Sequence, residues 1–184
     1  MKKITFLFAL AILFSQAAFA QKYFTKAGNV TFFSHTDIED IKGDNNVATI
    51  VIDAATGNME VAVLVKSFRF EKALLEEHFN ENYMESTKFP KANFKGKIEN
   101  ISAINFKKDG TYTAQITGDL TMHGVTKKIT TTGTITVAGG KITADCKFIV
   151  NPKDYNIAIP DVVKKQISEK IEVTVKAKLE ELVK

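Results

Sequence analysis

The sequence predicts an all-β fold: an eight-stranded antiparallel barrel with a short amphipathic helix and a second short helical or loop segment near its mouth. Three observations predict it. Around His123-Gly124 two long segments alternate strictly, with Tyr112, Ala114, Ile116, Gly118 and Leu120 on one face upstream and Ile129, Thr131, Gly133, Ile135 and Val137 downstream. A period of two gives each strand one buried and one wetted face. Comparable segments recur along the chain to a total of eight, and only two stretches break the pattern.

In chain order, the strands are expected at about 29 to 36, 46 to 53, 58 to 66, 91 to 101, 111 to 121, 127 to 137, 141 to 150 and 169 to 181. Asp44-Asn45-Asn46, Thr56-Gly57-Asn58, Asp109-Gly110, His123-Gly124 and Gly139-Gly140 supply the residues that tolerate positive φ and so suit tight antiparallel turns. Consecutive strands are therefore expected to pair with their neighbours. Closure into a barrel removes the exposed edges that an open sheet would leave.

The first interruption, Glu71 to Tyr83, places Leu74, Leu75, His78, Phe79 and Tyr83 at helical spacing opposite Glu76, Glu77 and Glu81, which predicts an amphipathic helix. The second runs from Asn151 to Ser168. Asn151-Pro152-Lys153-Asp154-Tyr155 is turn chemistry, and Pro160 to Ile167 has the makings of one or two helical turns begun by Asp161. Both are candidate covers for a barrel mouth.

Small residues on the expected inward face (Ala92, Gly96, Ala114, Gly118, Gly133) mix with large ones such as Phe94, Phe148 and Val173. An eight-stranded barrel is just wide enough to be filled by side chains or to hold one small ligand, and this mixture leaves both outcomes open. Cys146 shares a face with Ile142, Ala144 and Phe148 and is expected to act as a small buried hydrophobe.

Residues 1 to 20 have the pattern of a secretory signal: Lys2 and Lys3, an apolar run from Ile4 to Phe14, then Ala18-Phe19-Ala20. The expected mature domain is a single unit, 21 to 184, starting at Gln21. The apolar run is too short to cross about 30 Å of hydrocarbon, so no stable membrane anchor is expected. Taking those two lysines from the 25 basic residues leaves 23 against 21 acidic, too even a balance to imply a polyanionic partner.

The chemistry-bearing residues do not form a catalytic pattern. His35, His78 and His123 lie on separate elements without metal-ligand spacing, and neither a G-x-S-x-G motif nor a phosphate loop is present. Ser34 and His35 are adjacent on a strand and point to opposite faces. The alternating cations and aromatics of Lys88 to Lys97 are those of a strand with a solvated outside, so no nucleic acid is implied. No enzyme activity, metal or cofactor is expected.

Two motifs carry a resemblance: Lys88-Phe89-Pro90-Lys91-Ala92-Asn93-Phe94-Lys95-Gly96, and Gly118-Asp119-Leu120-Thr121-Met122-His123-Gly124-Val125. Together they resemble the YceI-like family of periplasmic, lipocalin-like barrel proteins associated with polyisoprenoid binding. The resemblance spans the mature chain and implies a cavity rather than a filled core. It further implies a periplasmic or secreted carrier or sequestering protein for a long-chain isoprenoid or similar amphiphilic lipid, with a connection to envelope stress, with transient membrane contact and with a homodimer among the open oligomeric states.

On that reading the ligand-binding candidates are Leu75, His78, Phe79 and Tyr83 in the first interruption, Phe94 and Phe148 on the inward face, and Asp154 and Tyr155 in the second interruption. The chain lacks the family's usual Arg-Asp pair ahead of the helical His. It also has Asp154-Tyr155-Asn156-Ile157 where Ser-Asp-Phe-Gly-Ile is frequent, and head-group preference is the property these departures bear on. The alternatives are a filled barrel working as an envelope interaction or stress module, and a lipid-acting enzyme.

Overall fold

The computed structural model describes residues 21–182, so the expected signal segment, 1 to 20, lies outside the described residues. Eight strands form a closed barrel in sequence order: β1 (Lys22–His35), β2 (Asp40–Asp53), β3 (Asn58–Leu64), β4 (Lys91–Ile98), β5 (Gly110–Met122), β6 (Val125–Ala138), β7 (Lys141–Val150) and β8 (Ile171–Glu181). Every pairing is antiparallel, and β8 closes on β1 through partners such as Phe32 and Val173. The longest ladder is the β5–β6 hairpin, paired from Gly110–Val137 to Met122–Val125. Its turn residues His123 and Gly124 have φ of 51° and 75°, the geometry a two-residue hairpin requires.

All eight expected strands are present, but β1 and β2 start earlier than the alternation predicts. Asp44-Asn45-Asn46 is not a turn; it lies within β2. Thr25 pairs with Ile50, Gly28 with Ala48 and Val30 with Asn45, so one extra residue bulges first from β1 and then from β2. Each bulge leaves two successive exposed residues, Lys26-Ala27 and Asn46-Val47, which breaks the period-two signal and then restores its phase. The real β1–β2 turn is Thr36 to Glu39, where Thr36 Oγ1 accepts from the backbone N–H of Glu39 at 3.1 Å.

Asn45 is wholly buried because its side chain replaces part of a ladder. β2 pairs with β3 only from Thr49–Ala62 to Ile52–Met59. Beyond that point the Asn45 amide donates to the Leu64 carbonyl at 2.9 Å, and its oxygen accepts from Val47 N–H at 3.0 Å. The strands can thus splay apart without orphaning a buried carbonyl.

An up-and-down barrel has two ends, and this one uses them differently. At one end the β4–β5 connection folds inward: Ile104 and Phe106 are buried, and the Phe106 ring stacks on Tyr23 with centroids 4.9 Å apart. At the other end lie the turn 36–39, the long β3–β4 connection 65–90, the His123-Gly124 turn and the long β7–β8 connection 151–170. Both interrupting segments therefore sit over the same mouth. The first forms a helix α1 (Ala73–His78) that continues as a π-helical turn, Phe79–Tyr83; the second forms 3₁₀ turns at Pro152–Tyr155 and Asp161–Val163. Asn151 caps the former by accepting from Lys153 N–H at 3.0 Å, whereas Asp161 makes no side-chain cap for the latter, which begins after Pro160.

Candidate ligand-binding cavity

The barrel encloses an apolar cavity of about 450 Å³. Its wall comes from the inward positions of the strands, including Ile50, Val61, Ile116, Ile135, Phe148 and Val173. Small inward residues shape it unequally. Ala92, Ala114, Gly133, Ala144 and Ala177 line the space, but the room left by Gly96 and Gly118 is taken by the Phe94 ring, which a Cβ on either glycine would strike.

The mouth is recognised by residues that line the cavity and still face water. Leu74 of α1 is one, at 60% exposed. Around it are Glu39 from the β1–β2 turn and Val163, Gln166 and Ile167 from the second segment, all of which also line the cavity. Lys72 Nζ reaches Glu39 Oε1 at 3.0 Å, joining α1 to the turn across this rim.

Phe79 anchors the first segment. Its ring lies 5.2 Å from Phe32, 5.4 Å from Phe68 and 5.0 Å from Phe70, centroid to centroid. This cluster joins a small satellite core of Val30, Ala48, Val63 and Phe68, distinct from the main core. The segment thus packs through aromatic edges and faces, with no buried residue in either α1 or the π-helical turn.

His123 ties the two segments together. Its side chain is 9% exposed. Nε2 meets Glu85 Oε2 at 2.8 Å and Nδ1 meets the Tyr155 carbonyl at 3.0 Å, while Phe89 packs against the ring at 4.6 Å. A carboxylate and a carbonyl are both acceptors, so the imidazole supplies the N–H donor of this clasp. The sequence places His123 in a turn; its role as a clasp needs partners 32 and 38 residues away.

Of the eight residues expected to bind ligand, the structure brings six to the cavity: Leu75, His78, Phe79, Tyr83, Phe94 and Phe148. Asp154 and Tyr155 stand apart from it. Neither lines the cavity: Asp154 is exposed, and Tyr155 is 2% exposed within the main core. The 3₁₀ turn that holds them directs one side chain outward and packs the other beneath the rim, and burial pushes the Tyr155 phenol up. Gln166 and the Phe32, Phe68 and Phe70 cluster take their place at the mouth. Phe68-Arg69-Phe70 is an aromatic-rich stretch that hints at this, and Val163, Gln166 and Ile167 have helical i, i+3, i+4 spacing, but neither pattern identifies a wall residue by itself.

Cys146 lines the cavity, as its face predicts. Burial, with the Asp145 charge second, pushes its thiol up to about 11. The three histidines serve separate places: His35 meets Asp40 at 2.5 Å on the surface, His78 lines the cavity and His123 makes the clasp. Among the described residues no group of three or more His, Cys, Asp or Glu is placed to hold a metal ion.

Residues 22–179 match the YceI-like domain. No curated protein matches the chain in sequence. Among solved structures, the fold is similar to a polyisoprenoid binding domain from Saccharophagus degradans implicated in plant cell wall breakdown. That likeness has a TM-score of 0.75 at 14% identity and covers 88% of this chain and 98% of that one. It is also similar to Burkholderia cenocepacia BcnA (TM-score 0.67, 16% identity, 83% and 96% covered) and to a Campylobacter jejuni YceI protein (0.62, 20%, 82% and 90%). With the family matched over nearly the whole described chain, the protein belongs to the YceI-like family.

Proposed function

We propose that this protein is an exported binding protein that holds a long-chain isoprenoid or a similar amphiphile, carrying it or sequestering it from water. The observation that carries this reading is the apolar cavity of about 450 Å³ with its mouth at Leu74. Apolar surface that leaves water for such a wall gains roughly 25 cal/mol per Å², which an apolar occupant can supply and a polar solute cannot. The likeness to a polyisoprenoid binding domain supports the same ligand class.

Three large apolar side chains at the mouth remain exposed: Ile38 (61%), Leu74 (60%) and Val162 (88%). They support transient contact with a membrane, where such ligands reside. Each CH₂ is worth about 0.8 kcal/mol out of water whether it enters protein or bilayer. The cavity can therefore accept a chain from a membrane and return it.

Export to the periplasm completes the proposal, with cleavage before Gln21. Mass analysis of the secreted protein tests it: a start at Gln21 is expected, and a retained Met1 would overturn it. For the ligand, gently purified protein is extracted into organic solvent and the extract analysed by mass spectrometry. A co-purifying prenyl or other long-chain amphiphile is expected. An extract free of lipid, together with exclusion of fluorescent prenyl and fatty probes, would overturn the carrier reading in favour of an interaction module.

A further inference from the structure

We propose that the cavity selects amphiphiles with an uncharged polar head, a hydroxyl, phenol or carbonyl, over the same tail bearing a phosphate or carboxylate, and that His78, Tyr83 and Gln166 receive that head. This rests on the carrier reading and specifies the chemistry of the ligand's polar end.

The cavity lining contains no lysine or arginine among the described residues. It does contain carboxylates. Asp145 shares the outer, solvated face of β7 with the exposed Thr143 and Lys147, which leaves Glu39 as the charge at the mouth. Glu39 is held by Lys72, whose ammonium is thereby already engaged. An anionic head would have to give up hydration beside a carboxylate with no cation in the wall to replace the water, and buried charge without a partner is far costlier than a buried hydroxyl with one.

The neutral polar groups on the wall sort in the same way. Ser34 Oγ is taken by the Ser168 N–H at 2.9 Å. Thr131 Oγ1 bonds the Lys147 carbonyl along the sheet, and Thr134 alternates with the buried, inward Gly133 and Ile135 and so takes the outer face of β6. Asn93 alternates with the inward Ala92 and Phe94 and shares the face of exposed Lys91 and Lys95. This leaves His78 on α1, Tyr83 at the end of the π-helical turn and Gln166 on the opposite segment, all partly buried and all lining the cavity.

Between them they offer a phenol, an amide and an imidazole, enough to donate to a carbonyl and accept from a hydroxyl. Burial holds the Tyr83 phenol in its protonated, donating form, since it pushes that group up. Lys164 and Lys165 stand near the rim but are exposed. They could meet a phosphate only if it stayed in water, where it would gain no selection.

The test is competition at pH 8 for a fluorescent prenyl probe, using mature protein stripped of lipid, with geranylgeraniol against geranylgeranyl monophosphate. The alcohol is expected to displace the probe at a concentration at least tenfold lower. Because the two compounds also differ in how readily they leave water, the ratio is measured again in Tyr83→Phe with Gln166→Leu, and it is expected to fall at least threefold. If the double variant does not fold, Tyr83→Phe alone gives the same comparison. Equal displacement by the phosphate, or a ratio unchanged in the variant, overturns the proposal while leaving the carrier reading intact. If the probe binds neither protein, both fall together.

Discussion

The ring of Phe79 stacks on that of Phe32, with centroids 5.2 Å apart and planes inclined by 18°. The first residue belongs to the segment over the mouth and the second to a barrel strand, so this contact joins cover to wall. Both rings line the cavity and both are only partly buried. A cover attached this way can be weakened without dismantling the barrel beneath it.

Phe79→Ala combined with Leu75→Ala is therefore expected to weaken uptake of a fluorescent prenyl or fatty probe several-fold. Full burial of a phenylalanine makes truncation cost about 3 to 5 kcal/mol; at this partly buried site about 1 to 3 kcal/mol is expected for Phe79. Equilibrium denaturation should retain one cooperative barrel transition. A loss at the core level with probe binding unchanged would mean that the segment is part of the core rather than a cover.

His123→Ala should act on both mouth segments at once. The change removes the imidazole that joins Glu85 Oε2 to the Tyr155 carbonyl and opens a space beside Phe89. Hydrogen bonds to charged groups contribute about 1.5 to 3 kcal/mol, and a loss of roughly that size is expected. Hydrogen exchange checks where it falls: residues around Glu85 and around Tyr155 should both lose protection, while the ladder at Ala114–Gly133 should not. Protection lost at only one of the two segments would contradict the clasp.

Cys146 gives a prediction in pH. Its thiol is raised from 9.0 to about 11 by burial and then by Asp145, so at pH 8 only about one molecule in a thousand is thiolate and native labelling should be slow. The native state keeps a proton that the unfolded chain releases, so stability is complete below pH 9 and declines as the pH rises from 9 to about 11. The whole effect is worth about 3 kcal/mol at most. Tyrosines and lysines titrate in the same range, so the measured quantity is the difference in unfolding free energy between wild type and Cys146→Ala across that window. Rapid labelling without denaturant would place the thiol on the outer face.

The strands were legible in the sequence because alternation is a local signal. It failed where the backbone stops alternating: the bulges at Lys26-Ala27 and Asn46-Val47 hide the first halves of β1 and β2, and Asn45 reads as a turn residue although it is wholly buried. For the candidate site, the covering helix and its inward residues were legible from spacing. Asp154 and Tyr155 were placed in the correct segment, but one face of a single 3₁₀ turn cannot be told from another without knowing what packs beneath it. Gln166 shows only a helical spacing with Val163 and Ile167 that does not mark it as a wall residue, and the Glu85–His123–Tyr155 clasp depends on contacts distant in sequence and left no local trace.

Gly118 tests how the cavity's boundary is set. It pairs directly with Gly96 across β4 and β5, and the Phe94 ring lies over both. A Cβ at Gly118 would come within 2.6 Å of Phe94 Cζ and 2.5 Å of the Lys95 carbonyl oxygen, and would also press on the Gly96 backbone. The ring can swing aside, but two backbone neighbours cannot do so without parting the strands. Gly118→Ala is therefore expected to cost about 3 kcal/mol, at the upper end for overpacking, and to reduce probe uptake as Phe94 is driven into the cavity. Gly139→Ala is the comparison. It has a φ of 54° but nothing within 4 Å of the added carbon, so only backbone strain of about 1 to 2 kcal/mol applies. Adding Phe94→Ala to Gly118→Ala should not restore stability, because the backbone contacts remain. If it does, the ring alone forbids a side chain at Gly118, and the close approach of β4 to β5 plays no part.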